Sequence, residues 1–255
     1  MKHLAACLAL LALAPAALAQ GGPPERDGQR DGARGGGVRL GSLANPSAAI
    51  AAEIAFARLA QDKGQWTAFK ATAAEDAVMF APNMVLAQTW LKDRANPPAG
   101  LTWQPHEAWS SCDGSLMVTH GAWQNIGQNG AKHGWFTTVW QRQPKGGYKW
   151  VLDHGDATED ALAAPDMLSA RVAECPERRA GARPGGPPQR GRGKPPKPPK
   201  APPVPFDPAQ REGRSNDGSL TWSVTVAPDG TRNFIARMAV DGQVQDIRNE
   251  RVAGS

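Results

Sequence analysis

Four alternating segments in a row, at 101–111, 115–125, 131–143 and 148–156, constrain this chain more than any other feature. Each predicts a β-strand, because apolar and polar residues take turns along it and β-branched and aromatic types are frequent. The connections are Asp113-Gly114, Gly127-Gln128-Asn129-Gly130 and Pro144-Lys145-Gly146-Gly147, which supply the positive φ and tight geometry of hairpins. Strands joined this closely pair antiparallel with their neighbours in sequence. The expected product is a four-stranded meander whose side chains divide between two faces.

The turns also predict the register. With Asp113-Gly114 as a two-residue turn, Glu107 lies opposite His120 and Trp109 opposite Val118. Carried through the next two hairpins, His120 meets Thr137, and Thr137 meets His154. One face then holds Trp109, Leu116, Val118, Val139, Trp150 and Leu152, crossed by the polar row Glu107–His120–Thr137–His154. The other holds Met117, Thr119, Trp123, Phe136, Thr138, Trp140, Val151 and Asp153. Both faces are apolar enough to need covering. One is expected to line an interior, the other to pack on a partner or on the C-terminal segment.

Upstream, Asn45-Pro46 has the chemistry of a helix start, and Ile50, Ile54 and Ala57 repeat at helical spacing along 46–63 until Gly64. A second helix is predicted over 65–74 with Trp66 and Phe69 on one side, then a short strand at 77–81 stopped by Pro82. A third helical stretch at 87–94 ends at Asn96-Pro97-Pro98. Residues 159–174 predict a helix interrupted at Pro165 that delivers Cys175. Asp76 and Asp156 read as turn or capping residues. Eight of the nine Trp fall within 45–160, too much aromatic surface for a chain disordered throughout. A mean hydropathy of -0.47, with no long apolar run after residue 20, excludes a polytopic membrane protein.

The first residues read as an address. A basic start at Lys2-His3, an apolar stretch from Leu4 to Leu18 and Ala17-Leu18-Ala19 fit a signal peptide cut before Gln20. The mature chain is then expected in the periplasm or outside the cell. Leu4-Ala5-Ala6-Cys7 has a lipobox pattern, but only six residues precede Cys7, too few for the apolar segment that lipidation needs. In an oxidising compartment the remaining Cys112 and Cys175 are expected to pair. Two cysteines, with His106, His120, His133 and His154 out of zinc spacing, give no metal signature, and nothing implies a cofactor.

Residues 161–215 carry eleven Lys and Arg against five Asp and Glu, a surplus of six where the whole chain has +5. The basic character therefore belongs to the stretch 178-RRAGARPGGPPQRGRGKPPKPPKAPPVP-205, which has little to bury and is expected to be extended. A nucleic-acid-binding domain would place such charge on a packed surface, so that class is excluded. The stretch reads as a solvated linker, with contact to an anionic envelope surface as the rival reading. Beyond it, 219–226, 231–240 and 243–248 alternate cleanly, with turns at Pro228-Asp229-Gly230 and Asp241-Gly242. Three such strands with one apolar face cannot stand alone. They must cover the main sheet, a second copy in a homodimer, or an envelope partner.

The chain thus divides into a signal peptide at 1–19, a flexible lead-in at 20–44, a domain at 45–160, a helix at 161–175 tied back by Cys175, a Pro/Gly/Arg/Lys-rich disordered linker at 176–215 and a C-terminal three-stranded meander at 216–255. In the domain, 53-EIAFARLAQDKGQWTAFKATAAEDAVMFAPN-83 and 134-GWFTTVWQRQPKGGYKWVLDHGD-156 resemble the nuclear transport factor 2-like superfamily, in its SnoaL-like and ketosteroid-isomerase-like branch. They are similar to an exported bacterial group within it that has no assigned activity. The resemblance implies an α+β fold, a cone-shaped curved antiparallel sheet packed on N-terminal helices. The small C-terminal β-meander is additional. That fold hosts enzymes, binders and assembly domains alike.

Three functions follow as expectations. The first is non-catalytic binding of a small apolar ligand or a protein partner in the cell envelope, with Trp66, Trp90, Trp109, Val118, Trp123, Thr137, Trp140 and Trp150 as pocket candidates. The second is an isomerase or lyase of the ketosteroid-isomerase or dehydratase type acting on a small carbonyl compound. There His120 and His154 would exchange protons and Glu107 would orient them, because a carboxylate beside imidazole tunes it for proton transfer. The third is a structural assembly module. The isomerase pattern of a tyrosine with two buried acids does not map here, since the only Tyr is Tyr148 at a hairpin base, and this favours binding or assembly over catalysis.

Overall fold

Ala49, Glu53, Phe56 and Ala60 recur at helical spacing, and they are the buried residues of α1 (Ser47–Lys63). Asn45 Oδ1 accepts the Ser47 amide at 3.1 Å, satisfying one free donor at the helix start. The helix ends at Gly64, whose φ of 95° and lack of Cβ let the Asn96 side chain close in. Asn96 Oδ1 accepts the Thr67 amide at 3.0 Å and its Nδ2 donates to Lys63 O at 3.3 Å. One side chain thereby ties the end of α1 to the start of α2 (Gln65–Thr72). The computed structural model describes residues 44–127, 130–175 and 205–254, all within Leu40–Ser255. The signal peptide, nearly all of the lead-in and the linker as far as residue 204 lie outside the described residues.

Eleven strands follow. They are β1 (Ala73–Phe80), β2 (Met84–Leu86), β3 (Thr102–Ser110), β4 (Leu116–Gly127), β5 (Gly130–Arg142), β6 (Tyr148–Thr158), β7 (Ser169–Val172), β8 (Gln210–Arg214), β9 (Leu220–Val226), β10 (Arg232–Val240) and β11 (Gln243–Val252), with α3 (Ala87–Trp90) after β2. The first seven form one sheet in the order β2-β1-β6-β5-β4-β3-β7, the last four a second in the order β11-β10-β9-β8. The class is α+β, with a large sheet, few helices and a separate smaller sheet. The large sheet is mixed where an antiparallel one was expected. β3 to β6 make the antiparallel meander, but β1 pairs parallel with β6 and β7 parallel with β3.

The register holds at the expected pairs: Glu107 with His120, Trp109 with Val118, His120 with Thr137, Thr137 with His154. It slips at two points. Between Pro105/Gly121 and Glu107/His120, His106 is extra on β3. Between Val139/Leu152 and Trp140/Trp150 the ladder slips by a residue, so Val151 is extra on β6. The bulge turns Trp150 to the same side as Trp140, correcting its expected place beside Leu152.

The large sheet is covered on both faces. Phe56, Phe69, Met117, Trp140 and Trp150 form the core under the helices. On the opposite face Val78, Trp109, Leu116, Val118, Val139 and Leu152 pack against Leu220, Trp222, Val224, Phe234, Ala236 and Met238 of the second sheet. The C-terminal strands therefore cover the main sheet of their own chain, which takes the face left open for a second copy.

Two further expectations are corrected. Residues 161–175 hold no helix, because Pro165 leaves too few residues on either side to sustain one, and the segment adds β7 to the free edge of β3 instead. The C-terminal sheet has four strands, since β8 lies in residues assigned to the linker; Gln-Arg-Glu-Gly-Arg has no apolar alternation to announce it. Cys112 and Cys175 are joined by a disulfide across 63 positions.

The two sheets also meet through a repeated turn. Ser111-Cys112-Asp113-Gly114-Ser115-Leu116 and Ser215-Asn216-Asp217-Gly218-Ser219-Leu220 fold alike. In each the Asp Oδ1 accepts from both flanking Ser residues, and the first Ser Oγ accepts the Leu amide at 3.1 Å. They interlock reciprocally: Cys112 N donates to Ser219 Oγ, and Asn216 N to Ser115 Oγ, both at 2.9 Å. Asp113 N adds a bond to Asp217 Oδ2 at 2.9 Å.

Candidate functional site

Alternation along β6 sends Asp153 to the helix side and His154 to the second sheet, so the neighbours enter different environments. Asp153 lines a cavity of about 270 Å³ whose walls include Phe56, Phe69, Leu101, Trp103, Trp123 and Phe136, with Asp156 and Ala157 further along β6. The cavity depends on Gly134. A Cβ there would meet the Trp123 indole at 2.6 Å and Asp156 O at 2.0 Å, so only glycine lets Trp123 lie over β5. Trp123 Nε1 donates to Trp135 O at 3.1 Å, which fixes the ring.

Asp153 Oδ2 accepts from Thr138 Oγ1 at 2.8 Å. Burial, helped by the nearby Glu53 carboxyl and opposed by Thr138, pushes its pKa up to about 8. Glu53 is fully buried. Its Oε1 accepts from Trp103 Nε1 at 2.7 Å, and its Oε2 from Thr119 Oγ1 at 2.6 Å and Trp140 Nε1 at 2.9 Å. Burial raises its pKa against those hydrogen bonds. The helix side thus holds two carboxyls that resist ionisation, one bonded into the core and one facing a cavity. Such a carboxyl can donate a hydrogen bond near neutral pH, take up or release a proton there, or pair with an incoming cation.

The polar row Glu107–His120–Thr137–His154 lies between the sheets. There it meets Glu250 of β11. Glu250 Oε1 accepts from Thr137 Oγ1 and from Arg248 Nε, each at 2.8 Å, and lies 3.3 Å from His120 Nδ1. Glu250 Oε2 lies 2.9 Å from His154 Nε2. Burial works to raise the Glu250 pKa, but His120, His154 and Arg248 outweigh it and hold the group ionised far below the ordinary carboxylate range. His154 is pulled down by burial, with Glu250 opposing, and its ring packs 4.8 Å from Phe234 and 5.3 Å from Trp135. Arg248 Nη2 sits 3.1 Å from His120 Nε2. A guanidinium only donates, so that nitrogen is the acceptor in this contact. Glu107 is half-exposed and faces Arg248 at 3.6 Å. The row therefore joins one sheet to the other through Glu250 and Arg248.

The aromatic candidates are dispersed. Trp123 lines the aromatic cavity, and Trp66 lines an adjoining one of about 290 Å³ that shares Asp153 and is bordered by Arg232. Trp90 packs on Trp66 at 5.2 Å beneath the Arg94 guanidinium. Trp140 and Trp150 are fully buried, the latter donating to Thr72 Oγ1 at 2.9 Å. Trp109, Val118 and Thr137 lie between the sheets, away from the cavity. Tyr148 donates its hydroxyl to Gly114 O at 2.7 Å. Asp76 belongs to β1 and pairs with Arg211, and Asp156 belongs to β6 on the cavity wall, so neither is a turn residue. Asp153 and Glu53 were missed as candidates, although each interrupts an apolar face, Glu53 between Ala49 and Phe56 and Asp153 beside Phe136 and Trp123. Among the described residues no group of three or more His, Cys, Asp and Glu could hold a metal ion.

No family model and no curated protein matches the chain. Solved structures similar to it include an NTF-2 like protein of unknown function from Shewanella oneidensis (13% identity, 44% of this chain and 98% of that one, TM-score 0.36). Others are the CaMKII hub of S. rosetta (17%, 45% and 98%, 0.34) and the Δ5-3-ketosteroid isomerase of a Mycobacterium species (14%, 44% and 97%, 0.31).

Proposed function

We propose that the protein binds a small, largely apolar molecule in the cavity between α1, α2 and the large sheet, with Asp153 as its polar contact, in an oxidising compartment outside the cytoplasm. The carrying observation is a half-buried carboxyl without a charged partner set among Phe56, Phe69, Trp103, Trp123 and Phe136. The cavity is at the small end of the ~300–1,000 Å³ typical of ligand sites, which points to a compact ligand. The order helix, helix, strand, helix, meander supports a nuclear transport factor 2-like cone with this cavity as its interior. The disulfide supports export through a signal peptide.

His120, His154 and Glu107 act in this reading as the clamp that seats the C-terminal sheet, since Glu250 and Arg248 lie against them between the sheets. Proton transfer on a bound carbonyl compound is the second reading. The raised pKa of Asp153 favours it, and the acid-base residue would then be Asp153.

Native mass spectrometry of the protein isolated from its own host, with intrinsic tryptophan fluorescence during titration with indole and cyclohexanone, tests the proposal. A retained small molecule, or saturable quenching lost in Ala157→Phe at the exposed mouth, is the expected result. No retained mass and no quenching up to millimolar ligand overturns it. Deuterium uptake by enolisable ketones in deuterated water, absent in Asp153→Asn, would select the enzymatic reading.

A further inference from the structure

Five aromatic side chains and the Asp153 carboxyl share the wall of the cavity, and among the described residues no Lys or Arg does. Aromatic rings present negative faces, and a cation near them is attracted most where water is excluded. Trp123 is placed for this, since its indole lies against Gly134 and lines the cavity. Asp153 is bonded only to the Thr138 hydroxyl and is in no ion pair among the described residues. Asp156 pairs with Trp135 across the ladder, so its side chain is on the opposite face, where Arg232 is its charged neighbour. Arg232 lies over the Phe80 ring at 4.5 Å and donates to Gly155 O, bordering the adjoining cavity. Glu53 stands behind Trp103 and adds a second acid to the Asp153 side.

We infer that the ligand is an organic cation, an ammonium ion with small alkyl or aryl substituents, its charge met by Asp153 and its substituents by Phe69, Trp103, Trp123 and Phe136. The inference rests on the cavity being the binding site and adds the sign of the ligand's charge. A neutral ligand would leave Asp153 to be satisfied as an acid. An anionic ligand would meet the Asp153 carboxyl with Glu53 behind it. A cation supplies the counter-charge Asp153 lacks, and the ring faces hold substituents whose only polarity is that charge. Binding then draws Asp153 into its ionised form and releases its proton.

The experiment uses the mature protein and three probes of matched shape: benzyltrimethylammonium, its neutral isostere neopentylbenzene, and phenylacetate. Affinities come from calorimetry and tryptophan quenching between pH 6 and 9. The cation is expected to bind at least about ten-fold more tightly than the isostere, and its affinity to rise by up to about ten-fold per pH unit below pH 8. Asp153→Asn keeps the acceptor for Thr138 and is expected to bring the two probes to parity and flatten the pH profile. Equal or tighter binding of the isostere or of phenylacetate overturns the charge assignment while the cavity stands. Binding of none of the three overturns both.

Discussion

Replacing Glu250 is expected to loosen the seat of the C-terminal sheet, and the cost follows from what it touches. In Glu250→Ala the fully buried Thr137 hydroxyl loses its acceptor and the His154 ring loses the carboxylate 2.9 Å from Nε2. Each buried polar group left unmatched costs about 1–3 kcal/mol. Arg248 is 24% exposed and recovers hydration, so its lost ion pair adds little. The sum is on the order of 3–5 kcal/mol, the range for breaking a buried charge network. Glu250→Gln keeps an acceptor for Thr137 and is expected to cost about half as much. Urea unfolding followed by tryptophan fluorescence and circular dichroism gives the values, with an unchanged slope showing that the same surface unfolds. If both variants fall within about 0.5 kcal/mol of the parent, the network contributes nothing and the sheets are held by Trp109, Phe234 and their neighbours together with the interlocked turns.

Loss of the disulfide in a Cys112→Ser/Cys175→Ser double variant should destabilise by about 4 kcal/mol, from the chain entropy of a loop closed across 63 positions; an unchanged melting temperature would refute this. Asp217 is pushed up by burial but held below the ordinary carboxylate range by bonds from Ser215, Ser219 and the Asp113 amide. Its folded pKa is depressed, so its stabilisation is present above the unfolded value and is lost as the pH falls below about 4. Asp217→Ala should therefore be less stable than the parent at pH 7 by about 1–3 kcal/mol, with the gap narrowing as the pH falls below the ordinary carboxylate range; a gap that stays constant through acid would contradict the role given to its charge. Asp153 runs the other way. Its folded pKa is raised, so the parent loses stability as the pH climbs from about 4 to about 8. Asp153→Asn should gain on the parent across that window in thermal melts; parallel curves would speak against a buried carboxyl.

Legibility in the sequence tracked how local the determining interaction is. Asp113-Gly114 fixes a hairpin from within itself, and counting from it placed Glu107, His120, Thr137 and His154 in line. Val151 broke the count, because a bulge is set by packing against α2 and β1, which strand alternation does not contain. β7 and β8 carry no alternation of their own and exist because β3 and β9 offer free edges. The helix expected near Pro165 lost to that edge. Glu250 is far along the chain from His120, so the row looked free when read as sequence and is occupied in the fold. The paired Ser-x-Asp-Gly-Ser-Leu turns went unread as a repeat, and their contact depends on how the sheets dock. Asp153 had a signal, an acid on an otherwise apolar and aromatic face, which local turn chemistry would have explained away.

Whether the helix-side cavity is a water-poor enclosure around an unpaired carboxyl is settled most directly by following the Asp153 side-chain carbon through a pH titration by NMR. The account predicts a midpoint at about 8, moving toward ordinary carboxylate values in Glu53→Gln. A midpoint near 4 in the parent would mean that Asp153 is solvated like a surface residue, and the binding site drawn around it would not stand.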